Sequence, residues 1–154
     1  MDNSITHSVI NFTYQNIKVL ITGKNIDARF PNYKRILPDT ISTVLKLNKS
    51  ELSKRIEKAM LYSNNTTKQG VFIINGNVKL NTKDIDFNKE YSTVMQHTNK
   101  TGEDLQIAFN LDYVKKILVN CEGEFVNLKF SGTNKPALLE EANSTLLIMP
   151  IMLN

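Results

Sequence analysis

Residues 41 to 154 run through one order of elements twice, and that repetition restricts the fold more than any single motif. The first pass opens with "ISTVLKL", a β-branched strand, followed by "NKSELSKRIEKAMLYS", the best helix in the chain. The hairpin "VFIINGNVKLN" follows with Asn75-Gly76 at its tip, and then the strand "EYSTVMQ". The second pass runs "LQIAF", the helix "NLDYVKKILVN", and the strands "FVNLKFSG", "PALLEE" and "TLLIMPIML", with a turn near Asn143. Apolar residues recur with period two in the strands and with helical spacing at Leu52, Ile56, Ala59 and Met60, and at Leu111, Val114, Ile117 and Leu118. Asn48 is placed to cap the first helix, with Glu51 three residues on, and Asn110 to cap the second. Each half thus has one amphipathic helix and enough strands to cover it. The pattern predicts an α+β domain with pseudo-twofold symmetry, two helices packed on one side of antiparallel sheets.

The first third reads differently. "INFTYQ" and "IKVLIT" alternate apolar and polar residues around a tight turn at Gln15-Asn16. Gly23-Lys24-Asn25 reads as the next turn and "IDARF" as a short third strand, completing a meander. Then comes "RFPNYKRILP", Arg29 to Pro38. Two prolines, two aromatics and several bases within ten residues exclude a helix interior and a central strand. The run is a linker, a nucleic-acid contact or part of a binding pocket.

Composition excludes several classes. At 154 residues with 41% hydrophobic and 22% charged residues, the chain fits one folded domain and a little more. Its formal net charge of +4 permits an acidic polymer as partner without requiring one. The single cysteine, Cys121, rules out an intrachain disulfide and reads as a small buried residue. No apolar run resembles a secretory leader or spans a bilayer, so a cytoplasmic protein without a membrane partner is expected.

No catalytic constellation is visible. His7 and His97 stand without motifs, and "TGKN" around Lys24 lacks the first glycine and the Ser/Thr of a phosphate loop, so it reads as a turn. Asp84 and Asp86 resemble a water-facing acidic loop, and Cys121 has no partner pattern for a metal. An enzyme, a cofactor and a bound metal are not expected. Two features carry more. Lys49, Lys54, Arg55, Lys58, Lys115 and Lys116 supply cations on or beside the two helices, either a solvated face or a phosphate-binding one. The terminal "LLIMPIMLN" is either a last core strand or an apolar groove wall, since Pro150 interrupts it and methionines adapt to varied partners.

"RFPNYKRILP" followed about a hundred residues later by "LIMPIML" resembles the bacterial sliding clamp, the β subunit of DNA polymerase III. "DLQIAFNLDYVKKIL" resembles that family's final repeat, with "VNLKFSG" the strand after it. The resemblance implies the DNA-clamp fold, with residues 39–154 as a complete third domain and residues 1–38 as the last strands of a second domain plus the connector. Family clamps are two-chain rings whose helices face the central hole. The likeness therefore implies a processivity factor that binds duplex DNA non-specifically through Lys49, Lys54, Arg55, Lys58, Lys115 and Lys116.

It further implies a groove for short peptides of polymerases, the clamp loader and repair proteins. Pro31, Tyr33, Arg35 and Ile36 would form one wall, and Leu147, Ile148, Met149, Pro150, Ile151 and Leu153 the other. Met60 and Leu61 would join the ring-closing contact, with charges from the link Asp84 to Glu90. Two departures stand out. Met152 occupies a position where many clamps carry arginine, and the family's Thr-Asp-Gly-His-Arg-Leu groove segment has no counterpart here. Self-association through residues 8 to 30, or capture by a full-length clamp chain, is expected. The other function class is a clamp-like peptide binder that competes for clamp partners or interferes with assembly without encircling DNA.

Overall fold

A Gln-Asn pair makes the first turn. Both Gln15 and Asn16 hold positive φ, 45° and 66°, which matches the twist of a two-residue hairpin. The computed structural model describes residues 6–30, 32–140 and 144–153. In it β1 (His7–Tyr14) pairs antiparallel with β2 (Ile17–Lys24) along their full lengths. Ile10 faces Ile21, Phe12 faces Val19 and Tyr14 faces Ile17, so one hairpin face is apolar along these three pairs. Two expectations are corrected here. Gly23 and Lys24 belong to β2, paired with Ser8 and His7, and Asn25 N–H extends the ladder to Thr6 O at 2.8 Å. "IDARF" forms no strand. Ala28 N–H donates to Ile26 O at 2.9 Å, a local bond that replaces a ladder bond, and Ile26 and Phe30 are exposed. Phe30 meets Tyr33 edge to face at 6.3 Å, and Tyr33–Arg35 is one turn of 3₁₀ helix. Residues up to Tyr33 form one compact unit and those from Lys34 another.

The second unit realises the double pass. First come β3 (Thr43–Asn48), α1 (Lys49–Met60), β4 (Gln69–Asn75), β5 (Asn77–Asp84) and β6 (Lys89–Met95). An unanticipated short strand, β7 (Asn99–Gly102), separates these from β8 (Leu105–Asn110), α2 (Leu111–Val119), β9 (Phe125–Phe130), β10 (Ala137–Glu140) and β11 (Thr145–Ile148). One sheet runs β6-β5-β4-β8 and the other β11-β10-β9-β3-β7. All pairings are antiparallel. Each sheet therefore takes three strands from one pass and the opening strand of the other, and β7 adds a fifth strand beside β3. This exchange makes the two halves a single domain, because neither sheet closes without both.

Burial follows the sequence period. In β5 Val78, Leu80, Thr82 and Asp84 are buried and alternate with outward residues, and in β3 Thr43, Leu45 and Leu47 are buried. Leu52, Ile56 and Ala59 of α1 and Leu111, Val114 and Leu118 of α2 join the same core, as does Cys121. Both helices start as their caps require. Asn48 Oδ1 accepts from Glu51 N–H at 3.0 Å, and Asn110 Oδ1 accepts from Asp112 N–H at 3.0 Å and Tyr113 N–H at 3.4 Å. Met60 lies partly buried against the core, so it belongs to the packed face of α1. The chain end bridges the two sheets. β11 edges one of them, and beyond Pro150 the Ile151 N–H donates to Ala108 O of β8, the edge of the other, at 2.8 Å.

Candidate functional site

That crossing creates a cleft of about 560 Å³. Its floor and one side are Leu147, Ile148, Met149, Pro150 and Ile151; its other side is Asn110, Tyr113, Lys116 and Ile117 from α2 and its cap. Proline ends the β11 pairing because it cannot donate, and the bond from Ile151 to Ala108 holds the far side, so the wall is braced at both ends. The cleft is apolar with a few polar groups, the usual make-up of a ligand site. Met149 and Tyr113 are each more than half exposed in it. Lys116 contributes an ammonium tied to Asp112 at 2.8 Å and 5.6 Å from the Tyr113 ring. The hydrogen bond and charge of Asp112 hold the Lys116 pKa above its ordinary value.

The structure brings five of the C-terminal candidates, Leu147 to Ile151, into this one cleft. Leu153 and Met152 lie beyond it, and Met152 is strongly exposed. Arg35 and Ile36 are exposed and are not among its lining residues; Tyr33 is exposed in the other compact unit, and Pro31 lies outside the described residues. Asn110 and Tyr113 are the site residues that sequence reasoning passed over. Asn110 was legible only as a cap. Tyr113, an aromatic among the polar positions of an amphipathic helix, was the available signal.

The helix face is electrostatically mixed. Lys115 bonds Glu57 at 3.0 Å and links α2 to α1; Arg55 meets Glu51 at 3.5 Å and donates to Thr93 Oγ1 at 3.1 Å. Lys49 Nζ donates to the Cys121 carbonyl, and Lys58 lies over the Tyr91 ring at 5.5 Å. Among the described residues, Lys49, Lys54 and Lys58 have no carboxylate within ion-pair distance. Lys54 lines two shallow grooves along α1, one shared with Lys49, Glu57 and Glu124 and the other with Glu51, Arg55 and Lys58.

At the end of α1, Leu61 is exposed beside Tyr62, which stacks on Tyr91 at 5.3 Å. Asn64 draws in the acidic link by donating to Asp86 at 3.0 Å and Asp84 at 3.4 Å, leaving Ile85 and Phe87 exposed. The expectation that Asp84 faces water is thus corrected: it is buried and also accepts from Asp86 N–H at 3.2 Å. Among the described residues no group of three or more His, Cys, Asp or Glu side chains is placed to hold a metal ion. No helix among them is long and apolar enough to cross a membrane.

The family of the DNA polymerase III beta subunit, C-terminal domain, matches residues 34–152. The chain belongs to that family. Among curated relatives, the beta sliding clamp of Vibrio cholerae is 29% identical over 140 residues, covering 87% of this chain and 37% of the relative. That of Haemophilus influenzae is 25% identical over 137 residues, with the same coverage. The chain therefore spans well under half the length of the relatives it matches. A DnaN sliding clamp from Pseudomonas aeruginosa, solved bound to griselimycin, superposes with a TM-score of 0.85 at 25% identity, over 97% of this chain and 40% of that one. The Bacillus subtilis clamp, at 20% identity, shares the fold at a TM-score of 0.85 over 98% of this chain and 40% of its own. The α+β fold expected from the repeat and the clamp fold implied by the resemblance are the observed ones.

Proposed function

We propose that these residues serve as the C-terminal domain of a replication sliding clamp. In this reading the chain is a non-catalytic, cytoplasmic processivity module that meets duplex DNA through α1 and α2 and recruits polymerase, clamp-loader and repair proteins through the cleft. The observation that carries the reading is the braced apolar cleft between Leu147–Ile151 and α2, on a chain whose family is that of the clamp subunit. Apolar side chains of a short peptide would bury against Met149 and Ile151, and a preformed wall lowers the ordering cost of binding. The family likeness adds Arg35 and Ile36, exposed and outside the cleft lining, as further contacts for such a peptide. Lys54 and Lys58 on α1 have the charge and exposure for non-specific phosphate contact, with Lys49, Arg55, Lys115 and Lys116 beside or behind them. Leu61, Ile85 and Phe87 offer exposed apolar side chains for a ring-closing partner chain, while Met60 is partly buried against the core.

Griselimycin, held by the Pseudomonas and Bartonella clamps, serves as a probe of ligand binding by this chain. Titration calorimetry should show binding that weakens at least about tenfold in the double variant Arg35→Ala, Met149→Ala, the loss of one buried apolar side chain being worth that much. A peptide from a clamp-binding protein should behave alike, and unchanged affinity for both ligands refutes the groove assignment. Retention on circular but not linearised DNA tests the ring. Peptide binding without such retention turns the reading to a clamp-like competitor that does not encircle DNA.

A further inference from the structure

We propose that Met149, with Met152 beside it, is an oxidation site that disables the cleft. The inference rests on the cleft reading above and adds a regulation to it. Of the chain's five methionines, Met95 is 1% exposed and Met60 is partly buried against the core. Met149 is 57% exposed and Met152 73% exposed. They flank the rigid Pro150-Ile151 pair, and Met149 lines the cleft. Exposure decides which thioethers meet an oxidant, so a dilute hydroperoxide reaches these two before Met60 and Met95.

The step is a two-electron oxygen transfer. A lone pair of the thioether sulfur attacks one peroxide oxygen. The S–O bond forms as the O–O bond breaks, and the departing oxygen takes up the proton and leaves as water. Sulfur is oxidised by two electrons and hydrogen peroxide is reduced by two. The product is a strong dipole in a wall otherwise made by Leu147, Ile148, Pro150 and Ile151. A ligand that covers it must strip its water without returning a hydrogen bond, and the adaptable apolar contact is lost. Because the sulfoxide is reducible, the change reverses.

The test treats the whole chain with millimolar hydrogen peroxide and follows each methionine by peptide mass mapping. Binding is read by anisotropy of a fluorescein-labelled peptide with leucine and phenylalanine side chains. Met149 and Met152 should oxidise well before Met60 and Met95. Affinity should fall at least about tenfold, and methionine sulfoxide reductase should restore it. In the double variant Met149→Leu, Met152→Leu the ratio of affinities before and after peroxide should stay near one, whatever the starting value. Full oxidation of Met149 with unchanged affinity overturns the inference. So does an equal peroxide loss in the double variant, which places the damage elsewhere. Failure of the cleft reading is distinct, because it appears as no peptide binding before peroxide is added, and it removes the inference with it.

Discussion

Removing one carboxylate, Glu57→Gln, should strengthen the attraction of the helix face for DNA. Of the six cations on or beside the helices, Arg55, Lys115 and Lys116 each have a carboxylate within 3.5 Å. A cation already neutralised by the protein has less to gain from a phosphate and displaces less counterion. That leaves Lys49, Lys54 and Lys58 without a carboxylate partner among the described residues, their charge unneutralised even where Lys49 donates to the Cys121 carbonyl. With about three phosphates neutralised, log affinity for linear duplex should fall with log salt at a slope of about −2.7, a loss of about fortyfold from 50 to 200 mM. In Glu57→Gln the partner of Lys115 at 3.0 Å is gone. The slope should steepen to about −3.6 and the loss grow to about 150-fold. Lys54→Ala with Lys58→Ala should flatten it to about −0.9. The assay is fluorescence anisotropy of a labelled duplex across a salt series. An unchanged slope in Glu57→Gln refutes the counting of paired and free cations. A wild-type slope near −5, at about six contacts, shows that the ion pairs open on DNA and offer no protection.

Other outcomes follow from local geometry. Gly102 holds φ +91° where an added Cβ would run into the Ser42 carbonyl, with its carbon and Thr43 Cα both at 2.9 Å, whereas Gly123 at φ +85° faces open space. Gly102→Ala should lower stability by about 3–5 kcal/mol, from strain plus the bonds between Glu103 and residues 42–43, and Gly123→Ala by about 1–2 from strain alone; urea unfolding that ranks them equally refutes the clash. Asn110→Ala removes the acceptor for two amide groups at the start of α2 and should cost about 1 kcal/mol, with most of it recovered in Asn110→Asp, as read by thermal melts. Lys116 should titrate above the ordinary lysine value in an NMR series and move down in Asp112→Asn. Because its folded pKa is raised, that pair supports the fold fully below the ordinary lysine pKa and is lost as pH rises through the folded value. Phe12→Ser with Ile21→Ser, on the apolar hairpin face, should reduce self-association in light scattering; an unchanged mass moves the contact elsewhere.

What was legible in the sequence was what depends on near neighbours. Asn48 and Asn110 announce helix starts because a cap needs only the next three residues. Ile10, Phe12 and Tyr14 announce a strand because alternation is local, and Gln15-Asn16 marks the turn that joins it to the next. "IDARF" misled for the same reason. It has strand-forming residues, but a strand also needs a ladder partner, and the chain supplies a local bond from Ala28 to Ile26 instead. β7 was missed because "NKTG" has no apolar period; it is a strand only because β3 offers it an edge. Asp84 was misjudged because its donor, Asn64, lies twenty residues away.

The sequence by itself determined two amphipathic helices, their caps, a strand order repeated twice and the family likeness carried by the connector and the terminal apolar run. Period and capping are written in consecutive residues, so no folded context is needed to read them. Tertiary structure alone decided the rest. It exchanged β3 and β8 between the two passes, set Leu147–Ile151 against Asn110, Tyr113 and Lys116, and chose which lysines meet carboxylates. Those outcomes depend on pairs of groups tens of residues apart, whose meeting is set by packing and not by the spacing of residues along the chain.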